Sequence, residues 1–202
     1  MRRLEGFAAI GFAVEYVVAL VLTNVPDEGE SRREAMDFYN SAGDKLRELI
    51  AVYVMATAVM LFVTFLALFA LRLLPPARPV ALISGGAFAA LYLASAAAFV
   101  APTLTLSLDS TGANAVDRQF VDFARGMSTL GDAFLLVVSM FAAAVFVGAL
   151  AWSGVLPRWL ALSGWLVAIV CLFGFTFVPL LLFALWMLAL GASRLRSPVV
   201  PA

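Results

Sequence analysis

Apolar residues in this chain gather into runs of bilayer length, and that spacing restricts its fold more than any other feature. The runs cover residues 6–25, 50–71, 80–101 and about 130–151, with a longer one at 159–191. Each of the first four comes close to the ~20 residues an α-helix needs to cross about 30 Å of hydrocarbon. Composition agrees. Hydrophobic residues make up 64% of the 202 positions and Asp, Glu, Lys and Arg together 13%, against roughly 25% charged in ordinary soluble domains. A water-soluble globule would need polar surface that this sequence does not supply. The chain therefore reads as an all-α, polytopic transmembrane helical bundle forming a single domain.

The run at 159–191 holds 33 residues, which as one helix would be about 50 Å long. Gly174, Thr176 and Pro179 punctuate its middle, and proline is favoured in the first turn of a new helix. Two spans, 159–175 and 178–193, fit that punctuation; one long kinked helix, giving five spans in all, is the alternative. Charge placement favours six. Six spans put Arg2, Arg3, Arg72, Arg78, Arg158, Arg194 and Arg196 on one side with a single acid, Glu5. The other side then holds Arg32, Arg33, Lys45, Arg47, Arg118 and Arg125 among eleven acids. Five spans would move Arg194 and Arg196 across and reverse the balance of basic residues. By the positive-inside rule the arginine-rich side, with both termini, is cytoplasmic.

Two longer connections, 26–49 and 102–129, fall outside the membrane. In the first, Ala35, Phe38, Tyr39, Ala42, Leu46, Leu49 and Ile50 follow a helical spacing that predicts one apolar face running into the second span. In the second, the alternation Thr103, Leu104, Thr105, Leu106, Ser107, Leu108 suggests an extended piece. Asn114, followed by Asp117, is placed to cap a short helix. Its Val116, Phe120, Phe123 and Met127 would turn inward at the membrane surface. Asp132, at the start of the fourth run, fits a helix N-terminal cap.

Several function classes drop out. Basic and acidic residues balance at 13 each, so nothing attracts nucleic acid. Histidine is absent, which removes the usual general base and the commonest zinc ligand. The one cysteine, Cys171, reads as a small buried hydrophobe. Phosphate-binding glycine loops, zinc-protease helices and nucleophile elbows are all missing from the sequence. No cofactor or metal is expected, and an enzyme ranks below the other readings.

Glu15 is the most informative residue. It lies about ten residues into the first span, beside Tyr16, where an acid costs at least ~3 kcal/mol to insert. One reading makes it a proton- or cation-coupling site or a contact for a polar ligand. A second makes it a packing lock, hydrogen-bonded to a Tyr, Ser or Thr of another span. A third lets it reach the interface. The other intramembrane hydroxyls, Thr57, Thr64, Ser84, Ser95 and Ser139, can bond back to their own helix carbonyls. Gly86, Ala90, Ala94 and Ala98 recur every fourth residue in the third span, a ridge suited to close helix packing inside the bundle or to a dimer contact. Trp152 and Trp159 fit an interfacial belt.

The segments Leu156-Pro157-Arg158-Trp159-Leu160-Ala161-Leu162-Ser163-Gly164-Trp165-Leu166 and Pro179-Leu180-Leu181-Leu182-Phe183-Ala184-Leu185-Trp186 resemble the tail of actinobacterial multi-pass proteins grouped as domain of unknown function 4386. That resemblance implies a split final region and a bacterial cytoplasmic membrane, and brings no activity with it. Two functions follow from the residues. One is a noncatalytic bundle that binds or regulates another membrane protein, or associates with itself. The other is a small transporter, or a binder of lipid or hydrophobic ligands, that uses Glu15. Membrane lipids are partners under both.

Overall fold

The computed structural model describes residues 1–23, 26, 31–108, 116–173 and 176–196. These form α1 (Arg2–Leu22), α2 (Arg32–Asn40), α3 (Ala42–Ala70), α4 (Ala77–Leu108), α5 (Arg118–Asp132), a π-helical segment (Ala133–Val138), α6 (Ser139–Trp152), α7 (Arg158–Cys171) and α8 (Phe177–Arg196). The protein is an all-α, multi-pass membrane bundle. Among the described residues, five helices are long and apolar enough to cross a bilayer: α1, α3, α4, the continuous helix Arg118–Trp152, and α8. The apolar α7 is shorter, at 14 residues, or ~21 Å. The last apolar region is thus two helices and not one kinked rod, since α7 ends at Cys171 and α8 starts at Phe177.

Six helices close into a ring in chain order, with α1 against α3, α3 against α4, α4 against α6, α6 against α7, α7 against α8, and α8 back on α1. Neighbours run antiparallel. Glu5 meets Arg72 at one end of the α1–α3 seam and Arg47 reaches the Val21 carbonyl at the other. Along α8, Leu195 lies against Gly6 while Phe183 packs on Phe12. The starts of α1, α4 and α7 and the ends of α3, α6 and α8 therefore gather at one end, with the arginines. Aromatic rings fill the middle. Phe12 and Tyr16 from α1, Phe62 from α3, Phe88 and Tyr92 from α4, Phe146 from α6 and Phe183 from α8 are all fully buried. Their centroids lie mostly 5–6 Å apart, the range of favourable aromatic pairs.

Outside the ring, α2 and α5 form a small cap. Tyr39 packs edge-on against Phe120 at 5.3 Å, and Arg32 bridges to Asp122 at 2.9 Å. Ser31 and Glu34 close a capping box at the start of α2.

Local chemistry revises several sequence expectations. The apolar face foreseen from Ala35 to Ile50 is broken at Ser41, whose extended backbone ends α2 and whose hydroxyl caps α3. The phase resets there, so Leu46 and Ile50 turn outward and Glu48 turns inward. Residues 103–108 are helical, because α4 continues to Leu108 with Thr105 and Ser107 donating to their own turn's carbonyls. Asn114 lies outside the described residues; Asp117 caps α5 by accepting from the Phe120 amide at 2.8 Å. The buried face of α5 is Phe120, Val121, Ala124, Ser128 and Gly131, while Phe123 points out. Asp132 stands inside a continuous helix and makes no side-chain cap hydrogen bond at the start of the π-helical segment. The small-residue ridge lies partly on the outer surface of the bundle. Gly86 and Ala90 are exposed, Ala94 is half-buried, and Ala98 is buried. The close approach falls one residue away, where a Cβ on Gly85 would meet Leu66 at 2.9 Å.

Candidate intramembrane polar site

Glu15 is half-buried on α1, one turn from the buried Phe12 and Ala19. Its Oε2 is buried and has no hydrogen-bond partner among the described residues. It lies within electrostatic reach of the Tyr92 phenol. Tyr16, the next residue, is fully buried and stacks on Tyr92 with centroids 5.1 Å apart. Its hydroxyl in turn lies within electrostatic reach of Cys171, in the last turn of α7. Neither phenol oxygen has a hydrogen-bond partner among the described residues. Three elements of the ring thus bring one carboxylate, two phenols and a buried thiol to a single level, with stacked rings in place of hydrogen bonds.

The hydroxyls that could have served Glu15 are occupied elsewhere. Thr57 donates to Tyr53 and Val54, Thr64 to Met60, Ser84 to Val80, Ser95 to Tyr92, and Ser139 to Leu135. The packing lock foreseen as one reading of Glu15 is therefore not formed at Oε2. The π-helical segment lies at the same level. Phe99 lies over Gly131 and Phe146 over Gly85, so Tyr92 falls opposite the junction of that segment with α6. The Ser139 amide there reaches back five residues to the Phe134 carbonyl. Such one-turn π insertions recur at functional sites.

Two further acids were not singled out by sequence reasoning. Glu48, only 3% exposed, accepts a hydrogen bond from Thr103 on α4, and its Oε1 has no partner. At the arginine end Glu5, 1% exposed, accepts from Arg72 Nε at 2.7 Å. Arg194, 9% exposed, lies over the Phe69 ring at 4.7 Å, within electrostatic reach of Glu5, Arg72 and Arg2. Glu5 and Glu48 flank apolar runs in the sequence, so nothing local showed that packing would bury them.

Among the described residues no group of three or more His, Cys, Asp or Glu side chains could hold a metal ion. The features together define a multi-pass α-helical membrane protein without a recognisable catalytic constellation. Comparison of the chain with family models, curated proteins and solved structures gave no match.

Proposed function

We propose that this protein is a small membrane carrier that takes up a proton or a small cation at Glu15, with Tyr16 and Tyr92 as the polar wall of the site. The observation that carries this reading is the set of buried oxygens without a hydrogen-bond partner on α1 and α4: Glu15 Oε2 and the Tyr16 and Tyr92 hydroxyls. In hydrocarbon an unsatisfied polar group costs several kcal/mol, and a bundle tolerates such groups best when a guest completes them. The charge supports a cationic guest, because no arginine or lysine pairs with Glu15 among the described residues.

The same reading takes α7 as a sixth crossing, so that the arginine-bearing end, with both termini, faces the cytoplasm of a bacterial cell. The proposed kinship with the domain of unknown function 4386 group rests on the α7–α8 motifs alone.

The test uses purified protein in vesicles with a trapped pH-sensitive dye. Wild-type protein should accelerate proton equilibration between about pH 5 and 8, and Glu15→Gln should abolish the acceleration while leaving the helical content unchanged. Equal rates for the two proteins would sink the reading. A second reading, a noncatalytic bundle that docks or regulates a partner membrane protein, is favoured by the α2–α5 cap, which has its own small core and leaves Phe123 46% exposed. Under that reading Phe123→Ser would release a co-purifying protein and Glu15→Gln would change nothing.

A further inference from the structure

A groove of about 460 Å³ opens at the arginine end between the start of α7 and the end of α8, lined by Pro157, Trp159, Ala189, Ala192, Ser193 and Arg196. We infer that it seats the phosphate headgroup of an anionic phospholipid. The inference does not depend on the Glu15 reading.

Charge complementarity selects the occupant. Arg196 lines the groove and Arg158 stands between the lining residues Pro157 and Trp159, while no acid lines it. Both arginines are exposed, and neither has an ion pair among the described residues. The Ser193 hydroxyl donates to the Leu190 carbonyl at 2.7 Å, which leaves the Arg196 guanidinium as the donor-rich group of the lining. A guanidinium offers a planar fork of donors that matches phosphate oxygens. Ala189 and Ala192 make a shallow floor that admits another molecule. Trp159, 57% exposed, is an amphipathic ring suited to headgroup depth. Space is sufficient too: the volume equals that of roughly fifteen waters at ~30 Å³ each, enough for a phosphodiester with its glycerol. The groove between α1 and α8 is a contrast. It is lined only by apolar residues, among them Val14, Val18, Leu185 and Leu188, and offers nothing to a headgroup.

The experiment places the full chain in phosphatidylcholine vesicles carrying either brominated phosphatidylglycerol or brominated phosphatidylcholine and reads tryptophan quenching. Trp159→Phe isolates the share of that residue. Trp159 should be quenched more strongly by the brominated anionic lipid. Arg158→Gln with Arg196→Gln should weaken that preference by about twenty-five-fold, at roughly fivefold per arginine. Arg3→Gln, at the same end but away from the groove, should leave it intact. Equal quenching by both lipids would overturn the inference, and so would an Arg3→Gln loss as large as that of the groove variants, since either means diffuse surface charge. Displacement of the brominated lipid by inorganic phosphate would assign the groove to free phosphate and likewise overturn the lipid assignment. Both arginines are exposed and unpaired, so the variants should fold, and far-UV circular dichroism checks that they do.

Discussion

The seam between α1 and α8 offers the sharpest test of the packing. Gly6 and Gly191 face each other there. A Cβ on Gly191 would lie 2.7 Å from Ile10 Cγ1, 2.8 Å from the Gly6 carbonyl oxygen and 3.1 Å from the Ile10 amide nitrogen. Two of these three atoms are backbone and cannot swing aside, so Gly191→Ala must push α1 and α8 apart along the seam. Overpacking of that kind costs about 1–3 kcal/mol. Alanine also regains ~0.5–1 kcal/mol of helix propensity over glycine, which would mask part of the loss. Gly86→Ala supplies the correction: it sits in a helix with nothing within 4 Å of the new methyl, so it carries the propensity gain without the clash. The difference between the two variants is then the steric term alone, about 1–3 kcal/mol. Reversible unfolding in mild detergent titrated with a denaturing one, followed by far-UV circular dichroism, measures it. If Gly191→Ala proved as stable as Gly86→Ala, the two helices would not be in contact as described.

Other perturbations probe the polar groups. Arg72→Met strands the buried Glu5 carboxylate and should cost about 3–5 kcal/mol in the same titration; adding Glu5→Leu should recover most of it. Thr103→Val removes the hydrogen bond that Glu48 accepts and should cost about 1–3 kcal/mol, whereas Thr103→Ser should be nearly neutral. In the cap, hydrogen bonds from the Ser31 side chain and then its backbone hold the Glu34 carboxyl below its ordinary range. A lowered carboxylate contributes stability that is present above the ordinary glutamate value and lost as pH falls through the lowered one. The Ser31 amide resonance should therefore shift with an acidic midpoint below that of a free glutamate, and Ser31→Ala, which keeps the backbone donor, should move the Glu34 midpoint part of the way back. An ordinary midpoint in the parent protein would refute the capping box.

Legibility divided along the line between local and tertiary physics. The apolar runs and the split near Pro179 were readable because bilayer thickness and proline geometry act on the segment itself. So was the back-bonding of Thr57, Thr64, Ser84, Ser95 and Ser139, which needs only one helical turn. Which face of a helix looks inward was not readable. Lipid tails are as apolar as a packed core, so Ala89 turns inward and Ala90 outward with no change in polarity to mark the difference. For that reason the close approach inside the bundle falls at Gly85, next to the ridge that starts at Gly86. The burial of Glu48 followed from the exact place of the break: Gly43 hinted at a bend, but the helical phase resets at Ser41, whose extended backbone and capping hydroxyl restart the helix two residues earlier.

Those same physics explain why Glu15, rather than either of the other two buried acids, carries the functional reading. Glu5 sits at the arginine end and meets Arg72, so its charge is answered by an ion pair. Glu48 lies in the second turn of α3 and takes a hydroxyl from Thr103. Each faces a low-dielectric surrounding and each has recruited a partner from a neighbouring helix, which is what burial of a carboxyl demands. Glu15 lies ten residues along α1 from Glu5, or ~15 Å deeper, where the desolvation cost is greatest. Yet there the neighbouring helices supply phenols that stack on other rings and hydroxyls that bond to their own backbone. Each of the three acids keeps one carboxyl oxygen without a hydrogen bond, but Glu5 has an arginine and Glu48 a threonine on its other oxygen, which is why the proposed carrier reading is put to its test at Glu15.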